Sequence, residues 1–237
     1  MTRTAYAAAA TALLLGSATA SAQELTAERA SAAARQAVED FDVTGLSVAV
    51  VKGDEIVFMN SYGVRDVRQP DVPVTTDTIF PFASVSKAFT TTAIAMLVDD
   101  GVMDWDDPVR DFIPEFEMSD PYITAEFSVR DLVTHRSGLP LGAGDLLVFP
   151  DGKPEVSDIL AAIRNIPPAT SFRSEYAYDN LMYIIAGEVV ARAAGQPWHD
   201  VIDDRIFTPL GMDSCEALPS EAAAAENTVT QHTRAPG

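Results

Sequence analysis

The sequence contains few of the residues that build metal centres and disulfides. Its one cysteine is Cys215, so no intramolecular disulfide is possible and the fold must depend on its apolar core. Its three histidines are far apart, and no His-Glu-x-x-His motif occurs: His135, His199 and His232. This argues against a metallohydrolase, and we expect neither a metal nor a cofactor. We expect His135 to be structural at a helix end, His199 to lie at the surface, and Cys215 to be half-buried and inert.

Positive charge and long apolar runs are also scarce. The chain has 35 acidic and 16 basic residues, which gives a net charge of −19 at pH 7. A surface of this sign repels nucleic acid and anionic lipid, so we expect no nucleic-acid partner. No stretch reaches the roughly 20 apolar residues that cross a bilayer, so we expect no membrane span. The sequence leaves the oligomeric state open.

The first residues have the pattern of a secretory signal peptide. Arg3 supplies a positive charge, residues 7–15 form a short apolar core, and Ala20-Ser21-Ala22 offers a small-x-small cleavage site. We therefore expect a signal peptide at residues 1–22 and a mature domain at residues 23–237. The protein is then exported, either to the periplasm or to the medium.

The rest of the chain predicts an α+β protein. Of the 237 residues, 47% are hydrophobic and 22% charged, as in globular domains. Strands come early and helices later, without β-α-β alternation. We predict a helix at 25–41, strands at 45–51 and 56–62, and later helices beginning at Ser84 and covering 128–135, 156–166, 180–194 and 198–207.

Ser84-Val85-Ser86-Lys87 is the first candidate catalytic motif. A serine and a lysine three positions apart share one face of a helix, so the Lys87 amine can reach the Ser84 hydroxyl. A serine nucleophile needs such a neighbour, because a free alcohol is hardly ionised at neutral pH. The start of a helix also favours a developing oxyanion. The alternative is that Ser84 only caps the helix.

Tyr178-Asp179-Asn180 is the second candidate motif. A tyrosine from this distant segment can complete a proton relay to Ser84 without histidine. The alternative is that Tyr178 packs in the core, as we expect for Tyr176 and Tyr183, which have no asparagine two residues later. The Gly-x-Ser-x-Gly elbow of an α/β-hydrolase is absent.

Several motifs occur together in an order that resembles the β-lactamase-related serine hydrolases. This group includes class C β-lactamases, D,D-carboxypeptidases, D-aminopeptidases and family VIII-type esterases, and the resemblance covers about residues 34–215. The motifs are Phe82-Ala83-Ser84-Val85-Ser86-Lys87, Asp107-Pro108-Val109, residues 132–139 (Leu-Val-Thr-His-Arg-Ser-Gly-Leu), Tyr178-Asp179-Asn180 and Pro209-Leu210-Gly211-Met212.

The resemblance implies a fold, a chemistry and a set of site residues. The fold would be β-lactamase/transpeptidase-like, with an antiparallel sheet flanked by helices and a mostly helical region. Ser84 would be the acylated nucleophile, and Lys87 would take part in its deprotonation. Tyr178 would act as general base or proton shuttle, and Asn180 would orient Lys87 and the substrate. The substrate would be a small-molecule or peptide acyl donor: an ester, an amide or a β-lactam.

One element of the family pattern is missing. The family has a Lys- or His-led triplet ending in glycine on a late strand, which supplies a second oxyanion donor. His232-Thr233 is a poor match, because Arg234 replaces glycine and the motif follows Tyr178 too closely. We expect a chain truncated at its C-terminus, with an exposed sheet edge and negligible activity of its own. The alternative function is a penicillin- or peptidoglycan-binding protein that acylates slowly or only binds.

Overall fold

The computed structural model describes residues 25–149 and 152–232, which form two compact units that divide after Thr76. The expected signal peptide at residues 1–22 lies outside the described residues. No described helix is both long and apolar enough to span a membrane.

Where the structure describes it, from residue 25 to 76, the first unit contains one helix and one β-hairpin. Helix α1 spans Ala27–Phe41 and is capped by Thr26, whose hydroxyl accepts a hydrogen bond from the Arg29 amide. Strands β1 (Gly45–Lys52) and β2 (Glu55–Gly63) pair antiparallel, with Lys52 opposite Glu55. Gly53 has a φ of +62°, which suits the two-residue turn between the strands. The predicted helix and hairpin are confirmed, and within the described residues these two strands pair only with each other.

The second unit is mostly helical. Its core surrounds helix α7, which buries one continuous face between Leu181 and Val190. Helix α2 packs against α7, and its buried residues include Ala93, Ile94 and Leu97. The helices are α2 (Lys87–Asp99), α3 (Val109–Phe112), α4 (Pro121–Glu126), α5 (Val129–Leu132), α6 (Val156–Ile163), α7 (Leu181–Ala194), α8 (Trp198–Ile202), α9 (Thr208–Leu210) and α10 (Pro219–Ala224).

The predicted helix starting at Ser84 begins with a tighter turn. Residues Ala83–Ser86 form a 3₁₀ turn, and regular α-helix begins at Lys87. The predicted helix at 198–207 is divided in a similar way, into α8 and a wider π-turn at Asp203–Phe207. Pro209 follows that turn and has no amide hydrogen to continue the usual hydrogen-bond ladder, which accounts for the change of geometry.

The sequence interpretation predicted neither helix α4 nor helix α10. Helix α4 begins after Asp120, whose carboxylate accepts hydrogen bonds from the Tyr122 and Ile123 amides, with Pro121 in the first helical position. These are ordinary start signals, and the sequence interpretation missed them. The short helix α10 begins at Pro219, near the end of the described chain. Next to it, the backbone of Ile79 bonds to residues 227 and 229, a contact that no local pattern predicts.

Candidate active site

Ser84 lies in the 3₁₀ turn that leads into α2. Its side chain caps neither element: the N-cap of the 3₁₀ turn is Phe82, the N-cap of α2 is Ser86, and neither makes a side-chain capping bond. The cap interpretation of Ser84 is therefore wrong. Ala83, directly before it, has a φ of +46°, which is an unfavourable backbone conformation for a residue with a Cβ. Strain of this kind clusters at functional sites, and here it lies beside an exposed serine hydroxyl.

The Lys87 amine contacts Ser84 from the next turn. Lys87 Nζ donates to Ser84 Oγ at 3.2 Å and to Asn180 Oδ1 at 2.7 Å. The amine also lies 4.9 Å from the Tyr178 ring centroid and 5.3 Å from that of Tyr183. Aromatic faces attract a cation, so two rings and an amide carbonyl hold the ammonium half-buried beside the serine.

Tyr178 completes the contacts of the serine oxygen. Its hydroxyl donates to Ser84 Oγ at 2.6 Å. Burial alone would raise the pKa of the Tyr178 phenol, but hydrogen bonding to Lys87 and Ser84 and the Lys87 charge lower it below its ordinary value. The structure thus brings together the four residues that the sequence singled out: Ser84, Lys87, Tyr178 and Asn180.

Asp145 extends this group, although the sequence interpretation did not select it. Asn180 Nδ2 donates to Asp145 Oδ1 at 2.9 Å. Asp145 begins a 3₁₀ turn, Asp145–Leu147, in a segment that was predicted only as a loop. No motif marks this aspartate, because the contact joins residues 35 positions apart and depends on how the loop folds back.

His135 lies behind the tyrosines. It is buried, its ring centroid is 4.5 Å from that of Tyr178 and 5.1 Å from that of Tyr183, and its Nδ1 accepts the Asp179 amide at 3.1 Å. Burial and the nearby Lys87 charge lower the pKa of His135, so the imidazole is neutral at pH 7. The expectation that His135 is structural fits these contacts, and the contacts place it directly against Tyr178.

Asp179, which lies between Tyr178 and Asn180 in the chain, is fully buried. Its Oδ1 accepts the Leu181 amide at 2.8 Å at the start of α7, while Oδ2 is buried without a hydrogen-bond partner. Burial raises the pKa of Asp179 to about 6. A carboxyl group with a pKa this close to neutrality can change charge within the working range of an enzyme.

The remaining residues considered in the sequence lie apart from this group. His199 is half-buried and contacts Asp200 at 3.5 Å. Cys215 is half-buried, and burial raises the pKa of its thiol, which keeps it protonated. In the part of the chain that the structure describes, no three histidine, cysteine or acidic side chains are placed to hold a metal ion. Of the poorly matching triplet, only His232 is described, and it is exposed.

The geometry has the parts that nucleophilic catalysis needs. One hydroxyl oxygen is within hydrogen-bonding reach of an amine and a phenol, and either can take its proton. Among the described residues, open concavities of about 740 and 560 Å³ are each lined in part by Arg173, and Ser84 lines neither of them. Ser84 itself faces solvent.

Comparisons with known proteins agree on the fold. The Beta-lactamase family model matches residues 30–237. The solved structure of the octameric penicillin-binding protein homologue from Pyrococcus abyssi superposes with a TM-score of 0.74 at 24% identity, over 86% of this chain and 47% of that chain. The expected α+β, β-lactamase/transpeptidase-like fold is confirmed.

The curated proteins that are similar in sequence include a hydrolase and an esterase. Unguisins hydrolase ungD′ of Aspergillus campestris is 31% identical over 207 residues, which are 83% of this chain and 38% of that protein. Esterase EstB of Burkholderia gladioli is 31% identical over 211 residues, 82% of this chain and 52% of the esterase. The chain therefore spans about half the length of these relatives, or less.

Proposed function

Because this chain belongs to the beta-lactamase family of serine hydrolases, we propose that it acts by acyl-enzyme chemistry on Ser84, with Lys87 and Tyr178 moving the protons. The observation that carries the proposal is the pair of contacts on one oxygen. Ser84 Oγ lies 3.2 Å from Lys87 Nζ and 2.6 Å from Tyr178 Oη. A serine used only for capping or packing does not require both partners.

The first step is acylation. Ser84 Oγ attacks the carbonyl carbon of the substrate, and its proton passes to Lys87 or to ionised Tyr178 as the new C–O bond forms. The lowered pKa of Tyr178 supports this role, because a phenol that ionises more readily is a better proton shuttle near neutral pH. Tyr178 then returns a proton to the leaving alcohol or amine as the bond to the leaving group breaks.

The second step is hydrolysis of the acyl-enzyme. A water molecule gives its proton to the same relay and attacks the acyl carbon, and Ser84 leaves with a proton returned to Oγ. The Ser84 backbone N–H lies in the first turn of the helix, where amides lack intrahelical partners, and it would stabilise the oxyanion in both steps. A second donor belongs to the third element of the family pattern, so we assign full activity to a chain that carries this element.

The proposed substrate is a small-molecule or peptide acyl donor, and we favour an ester over a β-lactam. The similarity to Esterase EstB supports this preference. We also propose export to the periplasm or the medium, on the signal-like pattern of residues 1–22. In the alternative function, the same serine is acylated by penicillin or a peptidoglycan fragment and the adduct is not turned over. Because the fold resembles that of a penicillin-binding protein homologue, the experiments below test this alternative as well.

Covalent labelling of the intact protein tests the proposal. A fluorophosphonate or penicillin adduct should map to the peptide that carries Ser84 and disappear in Ser84→Ala. Ser86→Ala is the matched control, because Ser86 lies two residues away and its side chain makes no capping bond. An adduct that persists in Ser84→Ala would reject the assignment.

Turnover then separates the two functions. Release of p-nitrophenol from an ester, faster than nitrocefin hydrolysis, is the expected result for an esterase. A Ser84 adduct that forms and remains, with no release of product, would favour the binding protein.

A further inference from the structure

We infer that Asp145 is a positioning residue for this chemistry: its carboxylate fixes the orientation of the Asn180 amide and so keeps the Lys87 amine available to Ser84. The inference rests on the proposed function, in which Lys87 exchanges a proton with Ser84. It adds to that function a residue that no sequence motif singled out.

The contacts form one continuous chain. Asp145 Oδ1 accepts from Asn180 Nδ2 at 2.9 Å, Asn180 Oδ1 accepts from Lys87 Nζ at 2.7 Å, and Lys87 Nζ reaches Ser84 Oγ at 3.2 Å. An ionised carboxylate can only accept hydrogen bonds, so the group that faces it must be the NH₂ end of the amide. The carbonyl end is then turned towards Lys87.

The orientation matters most when Lys87 acts as a base. A neutral amine has two N–H groups and one lone pair, and the Asn180 carbonyl takes an N–H, which leaves the lone pair for the Ser84 proton. With the amide reversed, its NH₂ end would donate to that lone pair and compete with Ser84 for it. A protonated Lys87 can only donate, so it favours the carbonyl end of the amide by itself. A neutral Lys87 can also accept, so Asp145 is needed to hold the amide in this orientation when Lys87 is neutral.

The backbone holds Asp145 in place before any substrate arrives. The Gly142 amide donates to the Tyr178 carbonyl at 2.8 Å, and the Asp145 amide donates to the Gly142 carbonyl at 3.1 Å. Gly144 has a φ of +72°, and a Cβ there would lie 2.3 Å from Leu181 Cδ1. The loop is therefore in close contact with the segment that carries Tyr178 and Asn180, and the carboxylate needs no rearrangement to reach the amide.

A double-mutant cycle in the intact protein tests the inference. The measured quantity is the rate constant for acylation of Ser84 by a fluorophosphonate. Asp145→Asn keeps the shape but can either donate or accept, and it should lower this rate about 10- to 100-fold. In the Asn180→Ala background the same substitution should change the rate less than about twofold, because Asp145 acts through Asn180. Asp111→Asn, which removes an exposed carboxylate on α3, is the matched control and should leave the rate unchanged.

Two outcomes would overturn the inference. One is a wild-type acylation rate in Asp145→Asn. The other is an equal loss of rate with and without Asn180, which a general structural role would give.

Amide NMR distinguishes these outcomes from failure of the proposed function. In protein labelled with ¹⁵N-asparagine, the Asn180 side-chain NH₂ signal is assigned by its loss in Asn180→Ala. The chemical shift of this signal should change in Asp145→Asn and stay the same in Asp111→Asn, whether or not the protein is active. An unmoved signal would reject the contact, whereas absence of any Ser84-dependent adduct in the wild type would reject the proposed function.

Discussion

The Tyr178 hydroxyl lies 2.6 Å from Ser84 Oγ, although the two residues are 94 positions apart. The neighbouring tyrosines have other positions. Tyr176 packs edge-on against the His135 ring, and the Tyr183 hydroxyl donates to the Val133 carbonyl at 3.0 Å. Among these three tyrosines, Tyr178 is the one whose hydroxyl reaches the serine, and the following predictions begin from that contact.

Lys87 and Tyr178 should act as one unit with Ser84. Groups that share one proton relay give strongly non-additive losses. Lys87→Ala and Tyr178→Phe should each remove most of the ester hydrolysis of the intact protein, and the double variant should lose little more. Initial rates of p-nitrophenyl ester hydrolysis measure this. Losses that multiply in the double variant would show that the two residues act independently.

Asp179 should make stability depend on pH. Burial raises the pKa of Asp179 to about 6, although hydrogen bonds from the Leu181 and Met182 amides act to lower it. An unfolded aspartate has a pKa of about 3.9. The unfolded state therefore ionises first, and the contribution of Asp179 to stability is complete below about pH 4 and is lost as the pH rises through about 6. Asp179→Asn removes this titration. Its free energy of unfolding, relative to that of the wild type, should therefore rise by about 2–3 kcal/mol as the pH increases from 4 to 7.

Urea unfolding at several pH values measures that difference. The comparison with the wild type cancels the titration of the other acidic residues. Asp213→Asn, at an exposed position, is the control and should show a difference that does not vary with pH. A pH-independent difference for Asp179→Asn would contradict the prediction.

Two aspartate–arginine pairs should differ in their effect on stability. Asp131 is buried, and both of its oxygens accept from Arg173, at 2.9 and 2.6 Å, while Ser128 donates to Oδ2. An asparagine at position 131 would place an NH₂ group against one of these donors, so Asp131→Asn should cost about 2–3 kcal/mol. The Asp106–Arg130 pair is exposed, and Asp106→Asn should change stability little. Chemical denaturation of both variants measures the contrast, and equal effects would contradict it.

The chain from residue 23 to 237, produced alone, should have negligible activity on nitrocefin and on a p-nitrophenyl ester. It spans about half of its relatives or less, and loss of a single oxyanion donor lowers turnover by about 10²–10³-fold. A chain that carries the third element of the family pattern, assayed in parallel, is the positive control. Ordinary esterase turnover by the 23–237 chain would show that the active site is complete within it.

Local chemistry made much of the fold predictable from the sequence. Helix α1, the hairpin and helix α7 are marked by apolar spacing and by turn or capping residues a few positions apart. The Ser84–Lys87 contact is of the same kind, because residues three apart on one helix turn are neighbours wherever the helix lies. Helix α4 has an equally local signal, because its N-cap Asp120 is followed by Pro121 in the first helical position.

The rest of the candidate site was decided by tertiary structure. The Lys87–Asn180 bond spans 93 positions, the Asp179–His135 bond 44 and the Asn180–Asp145 bond 35. These contacts exist because α2 packs against α7 and the loop before Asp145 folds back onto Tyr178. Each sequence motif lies within one element. The motifs could therefore identify Ser84, Lys87, Tyr178 and Asn180 as candidates without showing which other residues contact them. Only the packing of those elements could show that Asp145 and His135 lie against them.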